Sequence, residues 1–185
     1  FIMAIETGST LPSTPLYHLP PAVDGACSYA PEKIDINTLE KPLLVVIVPG
    51  AFTPTCSEQH IPPYLTTSAV SHLKEAGIKQ VLVLSTDSPF ITRAWGDQLV
   101  SEKKEVQKVL QDGYIKFVSD AGAEWLSEAG LVSEPKDLFA KNGLRGLRTA
   151  IITDASGKVT YVGVDKIPGS VEQSSIDGVL AALKK

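Results

Sequence analysis

Six consecutive residues, Leu43 to Val48 (LLVVIV), carry no polar side chain, and Pro49 and Gly50 stop them. A strand turns successive side chains to opposite faces, so one with a wet face must alternate apolar and polar residues. This run does not alternate, and four of its members are β-branched. It therefore reads as a strand buried on both sides, which requires a sheet covered above and below by helices. The stretch KQVLVLST, Lys79 to Thr86, repeats the pattern.

The segments between and after these runs supply the covering helices. From about Ser57 a helical pattern places Tyr64, Leu65, Val70 and Leu73 on one face and closes at Gly77, with Pro62 and Pro63 predicting an irregular start. Ser88 followed by Pro89 is a helix-start signature for SPFITRAWGDQL, and 101–111 continues as a surface helix. YIKFVSD, Tyr114 to Asp120, alternates as a third strand, and AGAEWLSEAG gives a short helix stopped by Gly130. RTAIITDASGKVTYVGV reads as a hairpin around Asp154 to Gly157, and SVEQSSIDGVLAALKK as a C-terminal helix with basic residues at its end. Two parallel βα units, a hairpin and a last helix make an α/β fold of thioredoxin-like pattern, a central mixed sheet with helices on both faces. The 185 residues are expected to form one domain, 1–185, with residues 1–40 as an N-terminal extension.

The net charge of −4 has no block of like charges behind it, so no basic stripe recommends nucleic acid. No apolar run is long enough to span a bilayer. The opening FIMAIETGS has no basic segment leading into a long apolar one, and the closing ALKK lacks a Ser-Lys-Leu peroxisomal address. The cytoplasm is the expected compartment. The two cysteines, Cys27 and Cys56, form no Cys-x-x-Cys pair and cannot hold zinc alone. They are either inert thiols or a redox couple.

The surroundings of Cys56 favour the second reading. It stands in VPGAFTPTC, just past the doubly buried strand and at the expected start of a helix. Free backbone N–H groups and the positive end of the helix dipole favour an anion there. Thr53 can bring a hydroxyl to the sulfur, and Pro49 and Pro54 stiffen the turn. A guanidinium would complete the site, because it keeps its charge and its fixed donors at working pH. Of the three arginines, Arg148 opens the strand RTAIIT and is the first choice, with Arg145 second and Arg93 third.

Pro49, Thr53 and Cys56 match the Pro-x-x-x-Thr-x-x-Cys signature of the peroxiredoxins. VPGAFTPTCSEQHIPPYL, TDSPFITRAWG and KFVSDAGAEW further resemble the type-five subgroup, in particular its fungal alkyl hydroperoxide reductase members, over about residues 40 to 183. The resemblance implies that Cys56 is the peroxidatic cysteine, whose thiolate attacks a peroxide O–O bond and becomes a sulfenic acid. It also implies that Thr53 holds thiolate and peroxide, that Pro49 shields the pocket, and that Arg148 orients the sulfur and the leaving oxygen. Family members need no metal or bound cofactor, are mostly reduced by thioredoxin, and in this subgroup commonly pair as dimers. Hydrogen peroxide and alkyl hydroperoxides are the implied substrates. An ordinary thiol is only a few per cent ionised at neutral pH, but full ionisation would raise the rate only about thirtyfold. Most of the acceleration must come from donors aimed at charge developing on the peroxide oxygens.

A sulfenic acid needs a resolving thiol or risks over-oxidation. Cys27, in the Gly-, Ser- and Pro-bearing segment VDGACSYAPEK, is the candidate. Its separation from Cys56 does not say which subunit's sulfur it reaches. Fungal members with an early second cysteine commonly form the bond between subunits, which implies an intersubunit Cys56–Cys27 disulfide in a homodimer. The alternative is a bystander Cys27 and an external resolving thiol. Two rival functions stand beside the peroxidase. A disulfide oxidoreductase on the same fold lacks its Cys-x-x-Cys, and a redox relay or sensor would pass its disulfide to a client. His60, four residues after Cys56, is expected to be a solvated or capping residue, and His18 and His72 surface residues without partners. GLRGLR lacks the Gly-Lys-Ser/Thr of a phosphate loop, and Trp95 and Trp125 are expected to pack in the core or a dimer interface.

Overall fold

The two apolar runs become adjacent parallel strands in the middle of one sheet. In a computed structural model describing residues 4–21, 30–133 and 143–184, β3 (Leu43–Ile47) and β4 (Gln80–Ser85) pair with Leu43 opposite Gln80 and Ile47 opposite Leu84. The seven strands lie in the order β2-β1-β5-β4-β3-β6-β7, where β1 is Leu16–His18, β2 Glu32–Ile34, β5 Ile115–Ser119, β6 Thr149–Thr153 and β7 Val159–Val164. β5 runs parallel to β4, while β6 runs antiparallel to β3 and β7 antiparallel to β6.

Every residue of β3 is buried, as its unbroken apolar sequence requires. Leu44, Val46 and Val48 pack toward α1 (Thr67–Glu75), α2 (Pro89–Leu99), α3 (Lys104–Gln111) and α5 (Ile176–Ala182). Leu43, Val45 and Ile47 pack toward α4 (Glu124–Glu128) and the N-terminal residues Leu11, Ile34 and Ile36. This is the thioredoxin-like sheet with helices on both faces.

Local signals place the helices. The Ser88 hydroxyl accepts the Ile91 N–H at the start of α2, and Pro89 takes the first helical position. Asp120 accepts the backbone N–H groups of Glu124 and Leu126 at 3.0 and 2.8 Å, and so opens α4. Trp125, buried on α4, donates to the Pro12 carbonyl at 3.1 Å. Trp95 is equally buried, edge-on to Phe117 with centroids 5.5 Å apart.

Boundaries differ from the sequence reading in several places, and the surface helix expected over 101–111 begins at Lys104. Within the N-terminal extension, Leu16–His18 and Glu32–Ile34 form β1 and β2 at the sheet edge, which the sequence reading did not foresee. Three-residue strands are too short to show a period. The C-terminal helix begins at Ile176, capped by the Ser175 hydroxyl accepting the Gly178 N–H at 3.0 Å, and not at Ser170. The residues before it are held by hydrogen bonds to Asp165, which a helical pattern cannot reveal.

Candidate active site

Past the end of β3 the chain is gripped by a carboxylate from the next strand's end. Asp87 accepts the Ala51 N–H through Oδ2 at 2.7 Å and the Arg145 guanidinium through Oδ1 at 2.7 Å. The Thr53 hydroxyl donates to the Gly50 carbonyl at 2.9 Å. Between these ties Phe52 holds φ +60°, a left-handed conformation that costs a bulky side chain about 1–3 kcal/mol.

Thr55–His60 then form a π-helical turn, in which the Ile61 N–H reaches the Cys56 carbonyl at 3.2 Å. Such wide turns concentrate at functional sites. Cys56 and His60 are both buried on it, and both meet the same cation. Arg148 Nη1 lies 3.5 Å from Cys56 Sγ and 2.9 Å from His60 Nδ1, and Arg148 itself is only 7% exposed. An inert buried thiol would be packed among apolar atoms. Placing a guanidinium against this one is costly unless its charge is used. Trp95 braces the turn from α2, its Nε1 donating to the Ser57 hydroxyl at 3.0 Å.

Arg148 thus reaches Cys56, while Arg145 is engaged with Asp87 and Arg93 pairs with Asp97 at 2.7 Å. Thr53 and Pro49 lie on the same turn, both half-buried. Cys27 lies outside the described residues. In GLRGLR, a Cβ on Gly146 would come within 2.6 Å of Ile47, so this glycine permits close packing beside the site.

His60 is the principal correction. It is 1% exposed, not solvated, and it does not cap. Arg148 can only donate, so Nδ1 must be the acceptor and the ring proton sits on Nε2. Nε2 faces the Ser174 carbonyl at 3.0 Å and the Ser174 hydroxyl at 2.9 Å. Burial, and secondarily the Arg148 charge, lower the His60 pKa to about 4. With its lone pair taken by Arg148, the ring is no general base for Cys56. The Cys-x-x-x-His spacing was a visible signal for the contact; Ser174, 114 residues further on, had none. His18 also differs from expectation, pairing with Glu32 across β1–β2 at 3.3 Å. His72 is exposed as expected.

The depressed His60 pKa has a consequence for stability. Below an ordinary histidine pKa of 6.5 the unfolded chain binds a proton that the folded chain refuses down to about pH 4. The contribution of the neutral ring is therefore intact above pH 6.5 and lost progressively as pH falls toward 4, by on the order of 3 kcal/mol. Urea unfolding at pH 7 and pH 4.5 should show this loss in the wild type, and a smaller one in His60→Asn. Equal losses in both proteins would contradict the assignment.

The Redoxin family matches residues 10–180. Peroxiredoxin-2B of Arabidopsis thaliana is 32% identical over 86% of this chain and 93% of its own. A relative from Lipomyces kononenkoae, named as a peroxisomal peroxiredoxin, is 37% identical over 84% of this chain and 92% of its own. The chain belongs to the peroxiredoxins. Peroxiredoxin AHP1 of Chaetomium thermophilum is 29% identical over 97% of this chain and 95% of its own, in keeping with a fungal resemblance. Among solved structures, reduced Prx3 of Vibrio vulnificus in complex with hydrogen peroxide superposes with a TM-score of 0.77 at 30% identity, covering 97% of this chain and 96% of that one. As a peroxiredoxin the chain is a peroxidase, an oxidoreductase that acts on peroxides and is renewed by a thiol reductant. Among the described residues no helix is long and apolar enough to cross a membrane, and no three His, Cys, Asp or Glu side chains converge to hold a metal.

Proposed function

We propose that this peroxiredoxin reduces hydrogen peroxide and alkyl hydroperoxides through Cys56, with Cys27 as resolving thiol and a thioredoxin-type dithiol as reductant. The observation that carries the reading is the Arg148 guanidinium, 3.5 Å from a fully buried Cys56 sulfur on the Pro49–Thr53–Cys56 turn.

The Cys56 thiolate attacks one peroxide oxygen along the O–O axis. The S–O bond forms as the O–O bond breaks, and the leaving oxygen departs as water or alcohol after taking up a proton. Arg148 presents donors to the sulfur and to the oxygen that gains charge, a role its permanent charge suits. The Thr53 hydroxyl, which spends its proton on the Gly50 carbonyl, keeps oxygen lone pairs for a peroxide O–H. Pro49 shields the pocket. The thiolate of Cys27 then attacks the sulfenic sulfur, the S–S bond forming as the S–O bond breaks, and the expelled hydroxide takes up a proton to leave as water; the external dithiol reduces the disulfide by exchange.

A homodimer fits the surface around the site. Phe52, Phe90, Ile91 and Leu144 are exposed large apolar residues. Each lies within a few positions of Ala51, Asp87 or Arg145, and Asp87 meets both of the others. Exposed apolar residues so close to the site in sequence suit a second copy, and the intersubunit Cys56–Cys27 disulfide is proposed together with that homodimer. The cytoplasm is the proposed compartment.

Cys27→Ser tests the cycle. The variant should consume about one equivalent of peroxide per chain as Cys56 is oxidised, then stall in the presence of thioredoxin and its reductase. Wild type should show a disulfide-linked dimer on a non-reducing gel after one equivalent, absent from Cys27→Ser. Normal thioredoxin-dependent turnover in that variant would remove Cys27 from the mechanism.

A further inference from the structure

The His60–Ser174 contact belongs to a closed ring of hydrogen bonds. From Arg148 the ring runs through Nη1 to His60 Nδ1, from His60 Nε2 to the Ser174 carbonyl and hydroxyl, and from the Ser174 hydroxyl to Asp165 Oδ2 at 2.5 Å. It closes through the backbone, where the Asp165 N–H donates to the Arg148 carbonyl at 2.9 Å. We propose that Asp165 is a positioning residue for the peroxidase reaction: through Ser174 it fixes the tautomer and place of His60, and thereby aims Arg148 at Cys56.

The geometry gives Asp165 two means of doing so. Its carboxylate accepts the backbone N–H groups of Glu172 and Gln173 on Oδ1, at 3.1 and 2.8 Å, and that of Ser174 on Oδ2 at 3.2 Å. Four donors on one carboxylate, counting the Ser174 hydroxyl, hold residues 172–174 as a rigid turn ahead of α5. Tyr161 adds a bond from its hydroxyl to the Gln173 carbonyl at 2.7 Å. A Cβ on Gly163 would come within 2.7 Å of that same carbonyl, so β7 is cut back to let the turn sit close.

The second means is polarity. The Ser174 carbonyl, which also accepts the Tyr64 hydroxyl at 2.6 Å, can only accept, and so demands a proton on Nε2. The Ser174 hydroxyl has its own proton drawn to the carboxylate, which leaves an oxygen lone pair facing Nε2. Both groups select the Nε2–H tautomer and leave Nδ1 as the acceptor for Arg148. The reverse tautomer would point an N–H at a guanidinium. The charged and titratable groups facing the ring are Arg148 from the start of β6, Asp165 beyond β7, and Tyr64, whose ring meets it edge-on at 6.1 Å. Ser174 and His60 are both buried, so water does not substitute for either partner.

Asp165→Asn is the informative variant. An amide has one acceptor oxygen where the carboxylate has two, so its NH2 must face one pair of the four donors. If it faces Ser174, the hydroxyl turns to donate to Nε2 and favours the wrong tautomer. If it faces the other pair, the turn is released. Histidine 15N NMR at neutral pH reads the outcome without peroxide. The wild type should show His60 as the Nε2–H tautomer, and Asp165→Asn a mixture or its reverse.

The kinetic arm rests on the proposed role of Cys56. Oxidation of Cys56 by hydrogen peroxide in single turnover should slow about tenfold in Asp165→Asn, short of the ~10²-fold expected when an electrostatic donor is lost outright. In a His60→Asn background, where the side chain has no tautomer to set, adding Asp165→Asn should cost little more. A merely structural Asp165 would cost the same in both backgrounds. Should Asp165→Asn fail to fold, Ser174→Ala cuts the hydroxyl arm alone and should slow the reaction about threefold. An Nδ1–H tautomer in the wild type, an unchanged tautomer and rate in Asp165→Asn, or equal costs in both backgrounds would overturn the proposal. Failure of Cys56 to react at all would instead remove the peroxidase role of Cys56 and leave the NMR arm standing.

Discussion

Replacing Cys56 by serine should leave a folded protein that consumes no peroxide above background. The change is nearly isosteric at a fully buried position, and a hydroxyl can still receive a hydrogen bond from Arg148. Chemistry, not packing, is what it removes. A serine hydroxyl is almost wholly protonated at neutral pH and needs a base to become a nucleophile. Among the described residues the ring beside the site is His60, which has committed its Nδ1 lone pair to Arg148 and its Nε2 proton to Ser174. His60 therefore does not rescue the oxygen. The expected loss is on the order of 10³-fold or more, the scale seen when a covalent nucleophile is deleted. Peroxide loss followed continuously with excess reductant measures it, beside a circular dichroism spectrum that should match the wild type.

Arg148→Gln should come second, with a fall of about 10²–10³ in the rate of Cys56 oxidation. Glutamine keeps a donor but no charge, and the transition state places negative charge on two oxygens and withdraws it from the sulfur. Arg148→Lys should recover only part of the loss. An ammonium restores the charge as a point, but on a flexible stem it lacks the fixed planar geometry by which Nη1 meets both the sulfur and His60 Nδ1. The two variants also separate charge from geometry at His60. Removing the guanidinium relieves one of the two causes that depress its pKa, so in Arg148→Gln the ring should titrate at higher pH than in the wild type. A near-normal oxidation rate in Arg148→Gln would mean that the 3.5 Å approach to sulfur has no catalytic use.

The central fold was legible because it rests on signals that are local in sequence. LLVVIV could only be a strand buried on both faces, and it is; Ser88-Pro89 opened α2, and Asp154 to Gly157 turned the hairpin. What escaped was set by contacts distant in sequence. β1 owes its place in the sheet to β5, where Tyr17 pairs with Ser119, and β2 joins through β1, while three residues in each say little by themselves. The late start of α5 follows from Asp165 taking the N–H groups that a helix would otherwise have left to water.

The site divides along the same line. Pro49, Thr53 and Cys56 are spaced along one turn, and a motif can record a turn. Arg148 was reachable by reasoning about where a neighbouring strand begins. His60 was expected to be solvated or capping because nothing near it in sequence shows what the ring meets. Its actual work, accepting from Arg148, depends on Ser174 and Asp165 at the far end of the chain. Arg145, ranked as the second choice, proved to serve the site by another route, pinning Asp87, which holds the Ala51 N–H beside the strained Phe52.

The most direct test of Cys56 as the peroxide-reducing thiol is single turnover of the reduced Cys27→Ser protein. One equivalent of hydrogen peroxide is added in the presence of a sulfenic-acid trap, and the product is read by intact mass and peptide mapping. The prediction is rapid, stoichiometric consumption of peroxide with the trap on the peptide bearing Cys56. Peroxide left in solution with Cys56 unmodified would contradict it, and Arg148 would then stand beside that sulfur for some reason other than catalysis.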